Sequence, residues 1–238
     1  MKTNTLGVVV ATACLVLIAQ PAFAQAGPVQ EMTTHSTGET KSGRFRIGLT
    51  AGTLGIGPEI GYRANRTIGV RANATFLSFS HSVKSNNVRY DGKANLKSGG
   101  VMLDLHPFGG GFFLSAGARI NGNAGRLRAT PQSTTPIGAI AYTPAQIGTI
   151  SGRAEVKNVA PQLTLGYGGG LHRGLSVNVE AGALFQGAVR VRDYSSNGTL
   201  ANDPRFIAEL EKERLNTQRK VDDYKVYPIL QIGLKYRF

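Results

Sequence analysis

Cysteine is all but missing from this sequence: the single residue, Cys14, lies near the start. An internal disulfide and a thiolate metal site are therefore excluded for the rest of the chain. Tryptophan is absent. Acids are scarce, with 14 Asp and Glu against 27 Lys and Arg and a formal charge of +13. So basic a chain calls for an anionic partner. The four histidines, His35, His81, His106 and His172, include no two at metal-ligand spacing. We therefore expect neither a metal nor a cofactor. Long apolar runs are missing too. The one continuous stretch, residues 6–18, is shorter than the ~20 residues that a helix needs to span a membrane.

What is present begins with a secretory signal. Lys2, the apolar stretch, Pro21 and the small-x-small site Ala22-Phe23-Ala24 predict a signal peptide over 1–24. Removing it takes one cation and leaves +12. An exported chain rarely meets nucleic acid, so the phosphates of lipopolysaccharide are the anionic partner that the charge suggests. Residues 25–43 are polar and aperiodic and read as a flexible periplasmic leader. The 31 glycines do not suit a soluble helical domain.

From residue 44 onward, apolar residues recur at every second position, which is the strand signal. Phe45, Ile47, Leu49 and Ala51 form one face. The phase flips at Gly52-Thr53, so Leu54, Ile56, Pro58, Ile60 and Tyr62 follow. A flip of this kind is a tight hairpin or a bulge. Further strands carry Ile68 to Phe76, Val101 to Leu105, Phe112 to Ile120, Val159 to Tyr167, Leu175 to Val191 and Tyr224 to Phe238 at alternate positions. Near the end, Asp203 and Pro204 predict the start of a helical insert over 203–222, with Phe206, Ile207 and Leu210 as its apolar stripe. Connections at 64–66, 107–111 and 169–173 are short; those at 81–89, 129–151 and 193–222 are long. A chain that starts and ends on one side of a membrane needs an even number of strands. Eight are counted if Gly52-Thr53 is a hairpin, and parity favours that choice.

The end of the chain carries the resemblance. Phe238, Tyr236, Leu234 and Ile232 stand at alternate positions of the last strand. With the alternation from Gly43 onward, the chain resembles the small outer-membrane β-barrel proteins of Gram-negative bacteria, of the OmpA-like and OmpW-like kind. The resemblance implies an outer-membrane location. It also implies that Phe238, Tyr236 and Leu234 act as the signal read by the barrel assembly machinery. It names no shared activity. The fold expected is all-β: an eight-stranded, antiparallel, up-and-down transmembrane β-barrel over 44–238, with short periplasmic turns, long external loops and a helical insert in the last loop.

Candidate sites follow from the two faces of the strands. On the polar face, equal depth predicts two interior ion pairs, Glu59 with Arg71 and Glu180 with Arg119, which help to fill the lumen. On the outward face, Lys93 and Lys97, Arg126 and Arg128, and Arg153 and Lys157 share the parity of the apolar residues on three consecutive strands. They form a basic rim suited to lipopolysaccharide phosphates, although Glu155 faces the same way. His81 and Ser82 are adjacent, so on a strand they point to opposite faces, and the pair is not expected to be catalytic. His106 and His172 are expected to be exposed or interfacial at turns. The glycine-rich stretches at 107–111 and 166–170 read as tight turns. The function expected is a monomeric, non-enzymatic barrel acting in surface interaction or envelope integrity. A narrow channel and a lipid A-modifying enzyme are the rival readings.

Overall fold

The computed structural model describes residues 43–138, 140–168 and 173–238. The signal peptide, the leader up to residue 42, His35 and His172 lie outside the described residues. In chain order the elements are β1 (Phe45–Gly52), β2 (Gly55–Arg63), β3 (Ile68–Ser85), β4 (Val88–Leu105), β5 (Phe112–Asn121), β6 (Ala124–Pro131), β7 (Thr135–Ile137), β8 (Ile140–Tyr142), the helical turn α1 (Pro144–Ile147), β9 (Ile150–Glu155), β10 (Val159–Gly168), β11 (Gly174–Leu184), β12 (Arg190–Val191), β13 (Ser195–Ser196), α2 (Pro204–Val221) and β14 (Tyr227–Arg237).

Eight of these strands form a ring. The antiparallel pairs β1–β2, β2–β3, β3–β4, β4–β5, β5–β10, β10–β11, β11–β14 and β14–β1 give each strand two neighbours. Gly52-Thr53 is a hairpin, with Gly52 opposite Gly55. The alternation inverts the pattern of a water-soluble core. Ile47, Ile60, Val101, Leu163, Val177 and Ile232 are exposed on the outside, while Arg71, Asp104, Arg119 and Glu180 are buried inside. Apolar groups turned outward over polar groups turned inward suit an apolar surrounding, where the strand ladders already satisfy every backbone group. Aromatic residues gather at the short-turn end of the ring. Phe45 packs on Tyr62 at 4.9 Å, Phe108 on Phe112 at 6.0 Å and Tyr236 on Phe238 at 5.1 Å.

At the other end the sheet outgrows the ring. The expected long loop at 81–89 is instead the tip of a long hairpin. Asn86 and Asn87, at φ 49° and 58°, make a two-residue turn with positive φ at both positions. That is the type I′ geometry, which matches strand twist and which Asn tolerates. β4 then changes partner. Ser98 to Leu105 pair with β5, while Val88 to Asn95 pair with β6. The switch falls at Asn121-Gly122-Asn123, where Asn123 Oδ1 accepts from the Lys97 amide at 2.9 Å and the Gly122 amide donates to Lys97 O. β6 pairs with β9, and β9 with β12 and β13, so a side sheet extends from the ring.

One face of that side sheet is a conventional apolar core. Val88, Tyr90, Leu127, Ala129 and Ile150 meet Ile137, Tyr142 and Ile147 from residues 130–150, a segment with no charged residue, and Phe206 and Leu210 from α2. Asp203 caps α2 by accepting from the amides of Arg205 and Phe206 at 2.9 and 3.0 Å. The expected stripe is partly wrong: Ile207 is exposed, and the buried side continues through Thr217 and Val221. The expected run from Leu175 to Val191 also breaks. Gly187, at φ 71°, lies beyond the end of β11. Past it Val189 and Val191 are buried against Ala154 and Val221 rather than facing outward.

Candidate functional site

The interior is built around Arg71, which is fully buried on β3. Its Nε donates to Asp104 at 2.9 Å, and one terminal nitrogen donates to Ser115 Oγ at 3.0 Å. Both terminal nitrogens reach Glu180 in a bidentate grip, the Nη2 contact at 2.5 Å. Glu59 stands 3.5 Å away, and the guanidinium lies 5.2 Å from the Phe113 ring centroid. A bidentate guanidinium–carboxylate contact is the strong, geometrically specific kind. Two further cations complete the network: Arg46 pairs with Asp104 at 2.6 Å, and Lys235 with Glu59 at 2.5 Å.

Glu59 and Arg71 are thus neighbours, but Glu180 and Arg119 are not an ion pair. Glu180 turns to Arg71 and accepts from Thr164. Arg119 donates to neutral groups instead: Gln162 at 3.0 Å, Ser98 at 2.9 Å and Asn73 at 2.6 Å. The physical reason is side-chain direction: Arg119 stands opposite Gly100 on β4, and its guanidinium lies over that position without a side chain, within reach of Asn73 on β3. Arg46, Asp104 and Lys235 were readable as inward by parity, but their partners were not, because alternation fixes a face and not a depth.

Above this layer the lumen turns apolar. Leu54, Ala160, Leu184, Tyr227 and Ile229 form a buried cluster inside the ring. Leu54 therefore leaves the outward set expected of it. It follows the Gly52-Thr53 turn, which is tied down where Tyr227 Oη donates to Thr53 O at 2.7 Å. The polar layer and the apolar layer both lie inside the ring.

The outward cations lie on the exposed face of the side sheet and along its root. Lys93 on β4 stands opposite Arg126 on β6, and Arg126 stands opposite Arg153 on β9. Lys97 is opposite Phe76, at the edge of the apolar surface. Arg128 and Lys157 are exposed as well. These strands differ from the expected ones: Arg126, Arg128 and Arg153 belong to the side sheet, and Lys157 to the link before β10. Glu155 is taken up locally, at 2.7 Å from Arg153 and 2.8 Å from Arg192. The hydrogen bond from Arg192, then the charge of Arg153, holds its carboxyl below the ordinary range. Asp91 bridges Ser82 and Arg89. Lys93, Lys97, Arg126, Arg128 and Lys157 form no ion pair among the described residues.

Among the described residues, His81 and Ser82 do not pair with each other: Ser82 Oγ donates to Asp91 at 2.6 Å. His106 differs from the expected exposed turn residue: it is 1% exposed. Its Nδ1 lies 3.1 Å from Phe112 O, and its Nε2 has no hydrogen-bond partner. Burial, and then the nearby charge of Arg63, push its pKa down to about 4. Among the described residues, no group of His, Cys, Asp and Glu is arranged to hold a metal ion. Phe238, Tyr236 and Leu234 lie exposed on the outer face at the short-turn end.

No protein-family model matches the sequence, and no curated protein does. The chain is similar in fold to two crystal structures from Acinetobacter baumannii. CarO2 has a TM-score of 0.57 and 20% identity, over 83% of this chain and all of that one. CarO has a TM-score of 0.50 and 19% identity, over 83% of this chain and 98% of that one.

Proposed function

We propose that this chain is a monomeric, eight-stranded, up-and-down transmembrane β-barrel of the Gram-negative outer membrane, related in kind to the small OmpA-like and OmpW-like barrels. It acts without catalysis, in surface interaction or envelope integrity. Its short turns face the periplasm, and the side sheet with α2 faces outward from the cell. Phe238, Tyr236 and Leu234 serve the assembly machinery, and the basic face binds the phosphates of lipopolysaccharide.

The observation that carries the reading is a row of cations across three strands, Lys93, Arg126 and Arg153, standing above an exposed apolar band. Lys97 sits opposite Phe76 where the band ends. Lys93 lies four residues further along β4, about 10 Å higher for a strand tilted by ~40°. That range of heights suits headgroup phosphates over hydrocarbon. Arginine grips a phosphate in a bidentate way and lysine acts as a point charge. The ion-paired layer and the apolar layer inside the ring support a closed lumen over a channel. Ser82 engaged with Asp91, and not with His81, supports a role without catalysis.

The test replaces Arg126, Arg128, Arg153 and Lys157 together by Gln. The variant is expected to fold in neutral detergent, to lose co-purifying lipopolysaccharide and to be less stable in bilayers that contain it. Lipopolysaccharide retained at the wild-type level would mean that these cations are only a solvated rim.

A further inference from the structure

The side sheet has two edges, and only one of them is closed. At the β12 edge, backbone groups are met by side chains of α2. Gln218 Oε1 accepts from the Val191 amide at 2.8 Å, and Gln218 Nε2 donates to Val189 O at 2.7 Å. Arg214 Nη1 donates to Val191 O at 3.1 Å. Helix side chains thus stand where a further strand would pair.

The other edge is the upper half of β3. β2 pairs with β3 only as far as Phe76, opposite Ile56. Beyond it, Leu77 to Ser85 pair with β4 on one side. Among the described residues, no strand pairs with them on the other. At ~3.3 Å per residue the open edge is roughly 30 Å long. Such an edge is a template for another strand, and proteins blunt it with proline, charge, a bulge or a cover. Leu77 to Val83 contain no proline and no Lys, Arg, Asp or Glu. The register against β4 runs without a bulge from Ile68 to Ser85. Ser78, Ser80, His81, Ser82 and Val83 are exposed. The stretch also complements itself. Two antiparallel copies centred on His81 set Phe79 against Val83, Ser80 against Ser82 and Ser78 against Lys84. Aromatic–β-branched and Ser–Ser pairs stabilise a sheet, and this register places no two lysines opposite each other.

We propose that the open edge of β3 takes the same edge of a second copy, antiparallel and centred on His81, so that two side sheets become one. Antiparallel pairing turns one barrel end over end relative to the other. The contact therefore joins copies in facing membranes, and each barrel stays a monomer in its own. That placement rests on the outward orientation of the side sheet under the proposed function, whereas the pairing itself does not.

The experiment uses the full-length protein folded in zwitterionic detergent, where two copies meet in any orientation. Sedimentation equilibrium is expected to show the protein mass rising about twofold with concentration. His81→Lys and His81→Glu each set like charges against each other on the axis, which is destabilising. Each variant alone is expected to stay a single copy. Mixed in equal amounts, they set Lys against Glu, and the doubled mass is expected to return. His81 is exposed, so both variants are expected to keep the heat resistance of the wild type. A wild type that stays a single copy at every concentration would overturn the proposal. So would His81→Lys pairing as well as the wild type, or a mixture no more paired than either variant alone. Phosphatidylcholine vesicles carrying the protein are expected to cluster with the wild type and with the mixture, but not with either variant alone. Pairing in detergent without clustering of vesicles would overturn the placement between facing membranes. An inward orientation of the side sheet in cells would move the contact to the periplasmic side and leave the detergent result as it is.

Discussion

Arg71 is the side chain on which the interior depends. Replacing it by Met leaves Lys235 beside Glu59 and Arg46 beside Asp104, but removes the only cation paired with Glu180 among the described residues. A buried carboxylate without its partner costs on the order of 3–5 kcal/mol. Arg119→Gln should cost less, about 1–2 kcal/mol, because it gives up hydrogen bonds to neutral groups. The Arg71→Met, Glu180→Met double variant should recover much of the loss, since both charges leave together. Urea midpoints in detergent measure all three, and equal costs for Arg71→Met and Arg119→Gln would contradict the network described. His106 adds a pH dependence. With its pKa held near 4 against an ordinary 6.5, the folded protein resists a proton that the unfolded chain accepts. Stability is therefore full above about pH 6.5, falls as pH drops toward 4 and levels off below. His106→Asn should flatten that window while leaving the midpoint at pH 8 close to wild type. An unchanged slope would show that other groups set it.

The elements at the long-loop end share an apolar core separate from the apolar cluster inside the ring. Phe206 of α2 is wholly buried against Tyr142, with the rings 5.1 Å apart. Phe206→Ala should cost about 3–5 kcal/mol and spend most of that on local opening. Limited proteolysis should then cut faster within 193–222, while the ring keeps its resistance to heat in detergent. Loss of heat resistance along with protection would show one cooperative unit instead. The side sheet was the part of the fold least legible from the residues. Alternation predicts the ring strands, because period two reports which face meets the surroundings; the Gly52-Thr53 flip leaves a hairpin or a bulge open, and the even strand count favours the hairpin that is found. Partner exchange leaves no such mark. β6 keeps the outward parity of β5, so Arg126 and Arg128 were read as a continuation of the same strand. Only Asn121-Gly122-Asn123 signals the switch. Asn86-Asn87 likewise hid a hairpin in what looked like a polar loop, and Gly187 hid a change of face inside an unbroken apolar alternation. Lys93, Lys97, Arg126, Arg128 and Arg153 are exposed as strand parity reads them, whereas Lys157 is exposed in the link before β10. The interior pairs were only half readable because they depend on depth.

At the scale of the whole molecule, two layers occupy the space inside the ring: the ion-paired layer around Arg71, and the apolar layer of Leu54, Ala160, Leu184, Tyr227 and Ile229. An eight-stranded ring is just wide enough for side chains to fill. Water crossing it would have to pass a charged network with little slack and then an apolar constriction, which opposes ion passage by dewetting. Wild-type protein in planar bilayers should therefore show no steady conductance. The same preparation can fix its direction in the membrane. Lys212 is exposed on α2, and Cys14 is the only cysteine in the sequence and falls within the predicted signal peptide. Lys212→Cys should therefore carry the only thiol of the mature chain and react with an impermeant maleimide on intact cells. Labelling only after the outer membrane is opened would reverse the orientation and move the outward cations to the periplasmic leaflet, away from lipopolysaccharide. Steady conductance in the correctly labelled protein would show that the two layers rearrange in the bilayer, and the channel reading would then replace the closed one.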